Sequence, residues 1–484
     1  MRLPPVWRLA LYATVVTFMS AYYDSWSSTT TMLVRFGVYR DVCPESTFPP
    51  ESPETPQCEE QLQKISALLS VFRISEFVTS IGVGVLMDVV GPKACISLGI
   101  LMRIISWLLL VYFTNHNWVM ILSCVLCGIS VNAIVFPVYT IARYWPAYQD
   151  MAMCVISACL SAGCFYVPIV NAILYVMPHA DMPTFVWIKL LITHFPWFIA
   201  SLVVFPNNVA KDVELNLKVK KSESNDSVIV DAADVVSPWN FKSFIKYVIH
   251  PEVLVTTCVF ILNCVSFTFS QEAFTQVYIG NSTAEYFNGV MVPLSFLFSL
   301  LFMFVINHHG VVVVMLGINV VSMLAHVFLL SSATIAAVFT SICISIAFSG
   351  FITYFFILLE HIVEITYSGS IKGFLTTVAG ISLAMNPLMN YLITRHNSMA
   401  GWQTAFIVMR AMMVFPMLWL LKRETERRNS KSKHKEVEIV RVSADASRRE
   451  STASQQMEDT VSTVSEETAV PVPTSEEASE VTTV

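Results

Sequence analysis

Residues 84–93 read GVLMDVVGPK, and this stretch lies between two long apolar runs of the chain. A short turn between helices needs glycine where two backbones come close, and Gly84 and Gly91 supply it. Asp88 stands at the end of the first run, where a carboxylate can hold the N-terminus of a neighbouring helix or an arginine side chain. The stretch therefore predicts two helices joined by a tight turn, with an aspartate placed to contact a neighbour.

The composition indicates a membrane protein. Of the 484 residues, 55% are hydrophobic and 13% are charged, and the mean hydropathy of +0.62 lies outside the range of soluble domains. A bilayer core takes about 20 apolar residues per helix, and long unbroken apolar runs exclude β-barrel strands, which alternate. The sequence predicts an all-α polytopic protein with spans at 6–34, 62–87, 94–113, 117–142, 151–175, 184–205, 252–278, 285–306, 311–330, 333–361, 373–393 and 400–421.

Lysine and arginine are distributed unequally between the connections, and this asymmetry sets the orientation. The connections after the odd-numbered spans carry few positive charges, and the first of them is acidic. The other connections are therefore predicted to face the cytosol, together with both termini. A competing interpretation takes residues 1–21 as a cleaved signal peptide. The predicted cytosolic charges are Lys93, Arg143, Lys211, Lys218, Lys220, Lys221, Lys242, Lys246, Lys372, Lys422, Arg423, Arg427 and Arg428.

Cysteine usage agrees with this orientation. Nine of the eleven cysteines lie within predicted spans, and the other two, Cys43 and Cys58, share the first external loop. An oxidising location favours a disulfide between them over two unpaired thiols. Cys124 and Cys127 have the spacing of a redox or zinc pair, but they lie inside span 4 without a second ligand pair, which favours helix packing. Asn281 begins an external N-glycosylation sequon; with the disulfide, it favours the plasma membrane.

Two segments are too polar to be spans. Residues 206–250 form a charged connector between a six-helix bundle over 1–205 and a second bundle over 251–421. Residues 422–484 are rich in serine, threonine, glutamate and valine, which predicts a disordered cytosolic tail. The tail contains Arg448-Arg449-Glu450-Ser451, whose spacing makes a basophilic kinase a candidate partner.

The division into six and six spans suggests an internal repeat, with chance similarity of apolar helices as the alternative. After span 8 the chain reads FVINHHGVV over 304–312, with Asn307 at the place of Asp88 and Gly310 at the place of Gly91. Span 5 contains PIVNAIL and span 11 contains PLMNYLI, and a proline inside a helix bends it. The two halves therefore have similar turns and similar bent helices; the matched residues of the second pair are Pro168, Asn171, Pro387 and Asn390.

Charged residues inside spans are candidates for a polar cavity, because a charge in the bilayer is costly unless it faces protein or water. Arg73 and Glu76 are three residues apart and can neutralise each other. Lys189 can extend to the interface, and several others can pair across helices. The full set is Asp24, Arg73, Glu76, Arg103, Lys189, Glu272, Glu360 and Arg410.

Asp24 differs from the others because it belongs to a polar stripe. Ser20, Asp24, Ser27, Ser28 and Thr31 recur at spacings of three and four, which places them on one helix face. Counting residues puts Asp24 in the outer half of the membrane. Two interpretations remain open: Asp24 contacts a solute, or it braces its helix against another span.

The turn at 84–93 resembles the G-x-x-x-D-x-x-G-[RP]-[RK] loop of the major facilitator superfamily, although Val89 stands where an arginine often follows the aspartate. The stretch SAYYDSWSSTTTMLVRFGVYRDVC over 20–43 resembles the L-type facilitative amino-acid transporters of that superfamily and the apicomplexan amino-acid transporter family. The matching residues are Trp26, Ser27 to Thr31, Met32, Leu33, Gly37, Tyr39 and Cys43; Ser25 replaces the glycine that relatives often have.

The resemblance implies a fold of 12 transmembrane helices in two six-helix pseudo-repeats and transport of amino acids by alternating access. It implies that Gly84, Asp88, Gly91 and Lys93 form a gating loop, and that spans 1, 4, 7 and 10 line the cavity. Asp24 would meet the ammonium of the solute, and hydroxyls, amides or a helix terminus near Ser27 to Thr31 would meet its carboxylate. The candidate binding residues are Asp24, Ser25, Trp26, Ser27, Ser28, Thr31, Asn132, Asn263, Ser266, Gln271 and Tyr354.

Other functions fit the sequence less well. A proton-coupled symporter with Asp24 or Glu272 protonated in the cycle is one alternative, and a non-transporting receptor or scaffold that signals through its tail is another. The aqueous segments contain no metal cluster, nucleotide loop or nucleophile and base pair, so neither an enzyme nor a cofactor is expected. They contain no basic domain that would bind nucleic acid. The remaining partners are a small-molecule solute and the lipid bilayer.

Overall fold

A computed structural model of the chain describes residues 4–19, 22–43, 58–112, 116–177, 181–209, 211–213, 239–278, 281–386, 388–389, 392 and 399–430. In the first half, the helices are α1 Pro5–Phe18, α2 Trp26–Arg35, α3 Glu59–Val78, α4 Ser80–Val89, α5 Pro92–Tyr112, α6 Asn117–Tyr139, α7 Gln149–Gly163, α8 Tyr166–Val176, α9 Met182–Lys189 and α10 Phe195–Val204.

A short helix, α11 Phe241–Val248, lies in the connector. The second half contains α12 Pro251–Val277, α13 Ser282–Met291, α14 Ser295–His309, α15 Val311–Phe328, α16 Thr334–Ser349, α17 Thr353–Glu360, α18 Ser368–Leu383 and α19 Met399–Ser430. No β-strand occurs in the described ranges. The prediction of an all-α fold is confirmed.

Nine helices of the described residues are long and apolar enough to cross a membrane. Their outer surfaces carry exposed apolar side chains, such as Leu191 and Phe304, each 61% exposed, and Phe415, 74% exposed. A surface of this kind suits lipid rather than water. The protein is therefore an integral multi-pass membrane protein, as the sequence predicts.

Several predicted spans are interrupted in the structure, among them spans 1 and 8. Span 1 is interrupted between α1 and α2, where Tyr22–Ser25 forms a 3-10 turn. Span 8 is interrupted between α13 and α14 around Pro293, whose ring cannot continue the helical hydrogen-bond ladder. The break in span 1 gives α2 a new N-terminus at Trp26, next to the predicted Ser27 to Thr31 segment.

The turns after spans 2 and 8 share a backbone conformation. Gly91 has φ 113° and Gly310 has φ 98°, a region that side chains with a Cβ rarely occupy. A Cβ on Gly91 would also collide with the backbone oxygen of Asn207. This similarity agrees with the two six-helix repeats. Pro387 and Asn390, from the other predicted match, lie outside the described residues.

The structure also describes the predicted disulfide, the predicted glycosylation site and the cysteine pair of span 4. Cys43 and Cys58 form the predicted disulfide. Asn281 is the N-cap of α13, where its side chain accepts a hydrogen bond from the Ala284 N–H at 3.1 Å. The cysteines Cys124 and Cys127 are both buried in α6.

Lys372 corrects one prediction. The sequence predicts it in the aqueous connection after span 10, but it lies in the second turn of α18 and is 2% exposed. The chain divides into one unit up to Leu421 and a second from Lys422. The second unit is described only over 422–430, which are helical; the kinase pattern at Arg448 to Ser451 lies outside the described residues.

We call the side of the bundle that carries the Gly91 turn and Arg143 the basic side. The side that carries the Cys43–Cys58 disulfide is called the disulfide side. Each name refers only to the residues that lie at that end of the helices.

Candidate functional site

An ionic cluster lies at the break in span 1. Arg73 of α3 donates to Asp24 Oδ1 at 2.6 Å and to Glu76 Oε2 at 3.3 Å, and the Tyr23 hydroxyl donates to Glu76 Oε2 at 2.7 Å. The predicted Arg73 and Glu76 pair is therefore present, and Asp24 joins it from another span. Two carboxylates share one guanidinium, which leaves one negative charge in excess when both are ionised.

The break explains why Asp24 reaches α3. A continuous helix would keep the polar stripe straight, whereas the 3-10 turn at Tyr22–Ser25 places Tyr23 and Asp24 together against Arg73. The Tyr23 ring stacks on Phe72 at 4.8 Å, and the Arg73 guanidinium lies 5.0 Å from the Tyr23 ring centre. The Trp26 ring meets Phe72 edge-on at 6.3 Å. Aromatic rings thus surround the charged cluster.

Most of the other candidates in the first half brace helices. Asn132 donates to the Glu76 backbone oxygen at 2.8 Å and to Ser80 Oγ at 2.7 Å, which joins α6 to α3 and α4. The Ser25 hydroxyl donates to the Cys164 backbone oxygen at 3.1 Å. The backbone oxygen of Ser28 accepts from Asn171 at 2.8 Å.

The predicted stripe also contains Thr31, Ser27 and Ser20. Thr31 is partly buried on α2. The side chain of Ser27 and all of Ser20 lie outside the described part of the chain.

A second polar cluster lies inside the second half and centres on Arg410 of α19, which is 1% exposed. Its Nε donates to Ser266 Oγ at 2.8 Å, and its Nη atoms approach Asn263 Oδ1 at 3.4 Å and Asn319 Oδ1 at 3.2 Å. Ser266 also contacts His326 Nε2 at 2.7 Å. Arg410 therefore pairs across helices, as the sequence allows, but each of these partners is a neutral group.

A narrow cavity of about 10 Å³, roughly the space of one water molecule, adjoins this cluster and is lined by side chains of α12, α15, α17 and α19, together with Gly350. Its polar wall consists of Asn263, Asn319 and Tyr354, and its apolar wall includes Met413 and Met417. The Tyr354 hydroxyl is buried and has no hydrogen-bond partner in the described residues. Two predicted residues, Asn263 and Tyr354, thus line one cavity.

Asn319 and Arg410 join this site although the sequence does not predict them as binding residues. A signal was present, because Asn319 and His326 are seven residues apart, as are Gln403 and Arg410, and this spacing places each pair on one helix face. His326 Nδ1 lies 2.5 Å from Gln403 Oε1, which joins the two faces. Gln271, which was selected, is partly buried on α12 and does not line the cavity.

Asp88 contacts the N-terminus of α18. The sequence predicts either a helix N-terminus or an arginine side chain as its partner, and the structure shows the first. Its Oδ1 accepts the Gly369 N–H at 3.0 Å, and its Oδ2 accepts both the Ser370 N–H and the Ser370 hydroxyl at 2.6 Å. These donors are free at a helix N-terminus, where the helix dipole also favours an anion. The contact connects the first half of the chain to the second.

Small residues allow the two helices to meet at this contact. A Cβ on Gly84 would collide with the Gly369 backbone oxygen, and a Cβ on Gly373 would collide with the Ser80 backbone oxygen. The approach of α4 to α18 therefore requires glycine on both helices. Lys93 lies beyond the turn, where its N–H donates to the Pro206 backbone oxygen at 3.3 Å.

Further polar contacts join the halves on the basic side. Glu360, at the end of α17, forms ion pairs with Arg143 of the first half and with Lys372 of α18. His361 Nε2 lies 3.0 Å from Asp150 Oδ1. Together with the Asp88 contact, these pairs close the two halves against each other on this side.

Two helical halves that surround buried polar clusters and meet through a polar contact define a multi-pass membrane transport protein. The sequence profile described as Major Facilitator Superfamily matches residues 56–387. The chain belongs to this superfamily of transporters.

Two proteins of Toxoplasma gondii are similar to this chain. Arginine transporter 1 is 22% identical over 493 aligned positions, which cover 88% of this chain and 90% of that protein. Amino acid transporter 6-1 is 24% identical over 169 positions, which cover 34% of this chain and 30% of that protein. The first similarity extends over nearly the whole length of both proteins, whereas the second is partial.

Proposed function

We propose that this protein carries amino acids across a membrane by alternating access, as a facilitative uniporter or exchanger. The observation that carries the proposal is the shared guanidinium of Arg73, because Asp24 and Glu76 then retain one negative charge between them. An ammonium group is a suitable partner for that charge, and the nearby Tyr23 and Trp26 rings can add cation–π attraction. The printed names of the two Toxoplasma gondii relatives support amino acids as the solute class.

The contact between Asp88 and α18 acts as a gate in this proposal. Alternating access requires the basic side to open, which separates Asp88 from the N–H groups of Gly369 and Ser370 and separates Arg143 from Glu360. We place the basic side and both termini in the cytosol, following the excess of lysine and arginine there. The plasma membrane is the proposed location.

The excess negative charge favours cationic amino acids over neutral ones. Arginine and lysine carry a second cation, which the cluster at Asp24 attracts, whereas an acidic solute would be repelled. We therefore expect arginine and lysine to be transported best, followed by large neutral amino acids. Glutamate is expected to be transported least.

Counterflow in proteoliposomes with a panel of labelled amino acids tests the proposal. Wild-type protein should exchange arginine and lysine, and Asp24→Asn should lose these two and weaken any flux of leucine or phenylalanine, because every amino acid carries the α-ammonium that Asp24 meets. Asp41→Asn is the matched control, because Asp41 is an exposed acidic residue close to the same span. Unchanged uptake of every solute by Asp24→Asn would remove Asp24 from the binding site.

Proton-coupled symport is a second candidate, favoured by the same pair of carboxylates on one arginine. One of the two carboxylates can take up a proton without leaving Arg73 unpaired, so protonation can be linked to solute binding. An imposed proton gradient should then drive accumulation of the solute above equilibrium. Equal initial rates with and without the gradient would leave uniport or exchange as the mechanism.

A receptor or scaffold with a transporter fold predicts a different result. Purified protein would move none of the amino acids in the panel, while its tail would recruit a protein partner. Counterflow of any amino acid by the purified protein therefore argues against this alternative.

A further inference from the structure

We propose that Arg410, with Asn263, Asn319 and Tyr354, binds the α-carboxylate of the transported amino acid. This inference rests on the proposed function and assigns the end of the solute that the Asp24 cluster does not bind. The ligand class is a carboxylate. The cavity in the second half holds about one water molecule in this conformation, so it must widen when the carboxylate binds.

The charge of Arg410 is the first argument. A buried cation is costly unless an anion or strong hydrogen bonds compensate it. Arg73 is compensated by two carboxylates and Lys372 by Glu360. Arg410, in contrast, contacts the neutral side-chain oxygens of Ser266, Asn263 and Asn319. Among the described residues, its guanidinium forms no ion pair.

The geometry of those contacts is the second argument. The distances from Arg410 to Asn263 and Asn319 are 3.2–3.4 Å, at the long end of the range for hydrogen bonds. A guanidinium and a carboxylate normally approach to about 2.7–2.9 Å and form two parallel bonds. The amides therefore hold Arg410 loosely, and a carboxylate can replace them as the acceptor.

The cavity provides the third argument. Asn263 and Asn319 both line the cavity and contact Arg410, so the guanidinium lies directly behind its polar wall. Tyr354 lines the same cavity, is 1% exposed, and has a hydroxyl without a partner in the described residues. A carboxylate in the cavity would give this hydroxyl an acceptor, which removes the cost of an unsatisfied buried donor.

The two polar clusters are complementary to a zwitterion. The cluster of Asp24, Arg73 and Glu76 carries excess negative charge, and the cluster of Arg410 carries positive charge. Phe351 links the two clusters. Its ring centre lies 6.5 Å from that of Phe77, the neighbour of Glu76 on α3, and 4.5 Å from that of Phe267, the neighbour of Ser266 on α12. An amino acid that bridges the two clusters would draw the first and second halves together.

Competition between an amino acid and its amide tests this assignment. In counterflow of labelled arginine, unlabelled arginine and argininamide compete at about pH 6.5, where both keep a protonated α-amine. Wild-type protein should prefer the acid over the amide by about 10- to 100-fold, the value of a hydrogen-bonded charge pair. In Arg410→Gln, the ratio should fall to about one, because the amide and the acid then meet the same neutral side chain.

Arg8→Gln is the matched control. Arg8 is also an arginine that is 1% exposed, but it pairs with Asp212 at 3.0 Å and does not line the cavity. General damage to the fold should lower the inhibition by acid and amide equally and leave their ratio unchanged. Collapse of the ratio in Arg410→Gln alone supports the assignment, and an unchanged ratio in Arg410→Gln overturns it.

Tyr354→Phe decides the question if Arg410→Gln does not fold. The substitution removes a hydroxyl that has no partner in the described residues, so the thermal stability of the protein should be preserved. The inhibition constant of arginine should rise several-fold while that of argininamide stays constant. Equal constants in Tyr354→Phe and wild type would overturn the assignment.

An inorganic anion is the competing occupant of this site. If replacement of sodium chloride by sucrose at equal osmolarity lowers wild-type uptake and has no effect on Arg410→Gln, the site binds chloride and the assignment fails. Equal uptake in both media supports the carboxylate. Absence of any counterflow by wild-type protein would instead overturn the proposed function, and this inference with it.

Discussion

The proposed gate can be weakened by Asp88→Asn, a change that preserves shape and removes charge. Oδ2 accepts two hydrogen bonds from Ser370, and Oδ1 accepts one from Gly369. An amide has only one accepting oxygen, so at least one N–H of α18 loses its acceptor. Exchange of charged for neutral hydrogen bonds costs about 2 kcal/mol. This value shifts the ratio of closed to open protein about 30-fold.

Hydrogen–deuterium exchange measures this shift at the site itself. Peptides that contain Gly369 and Ser370 should exchange up to about 30-fold faster in Asp88→Asn, because opening exposes their N–H groups. Asp181→Asn is the control: Asp181 caps α9, and the hydrogen bonds from the side chain and backbone N–H of Thr184 lower the pKa of its carboxyl. Asparagine caps helices equally well. Equal exchange of the α18 peptides in Asp88→Asn and wild type would refute the gate contact.

Three further changes test the fold around this contact and at the disulfide side. Gly84→Ala should slow transport several-fold, because its methyl group meets the α18 backbone and overpacking costs about 1–3 kcal/mol. Gly82→Ala is the control and should transport normally, because no atom lies within 4 Å of the added methyl group. Equal transport rates in the two variants would contradict the packing argument. Replacement of both Cys43 and Cys58 by serine should lower the free energy of unfolding by about 3 kcal/mol, measured by thermal denaturation with and without reductant. Asn281→Gln should abolish a glycosidase-sensitive shift in gel mobility; a shift that persists would place the glycan elsewhere.

Much of the fold follows from the sequence, because lipid imposes one simple requirement on each span. A run of about 20 apolar residues has few alternatives to a helix in a bilayer. The breaks in spans 1 and 8 are harder to predict, because a hydropathy sum does not detect a local change of backbone conformation at Ser25 or Pro293. Lys372 was misplaced for a related reason: its charge indicates water, but the protein compensates that charge internally with Glu360.

The candidate site also combines contacts that the sequence predicts with contacts that it does not. The Arg73 and Glu76 pair follows from their spacing on one helix. The contact of Arg73 with Asp24, 49 residues away, depends on how two helices are rotated, and the sequence does not encode that rotation in any short pattern. The Arg410 cluster depends on three helices at once. Spacing predicts which residues share a face, but not which faces meet.

The partners of Asp88 also determine how the gate responds to its surroundings. Val89 stands where many relatives have an arginine, and the aspartate binds backbone N–H groups and a serine instead. Dissolved ions weaken the attraction between separate charged side chains, but they compete poorly with N–H groups fixed at a helix end. The contribution of the Asp88 contact to the proposed gate is therefore expected to depend little on ionic strength, in contrast to an attraction between charged side chains at the surface.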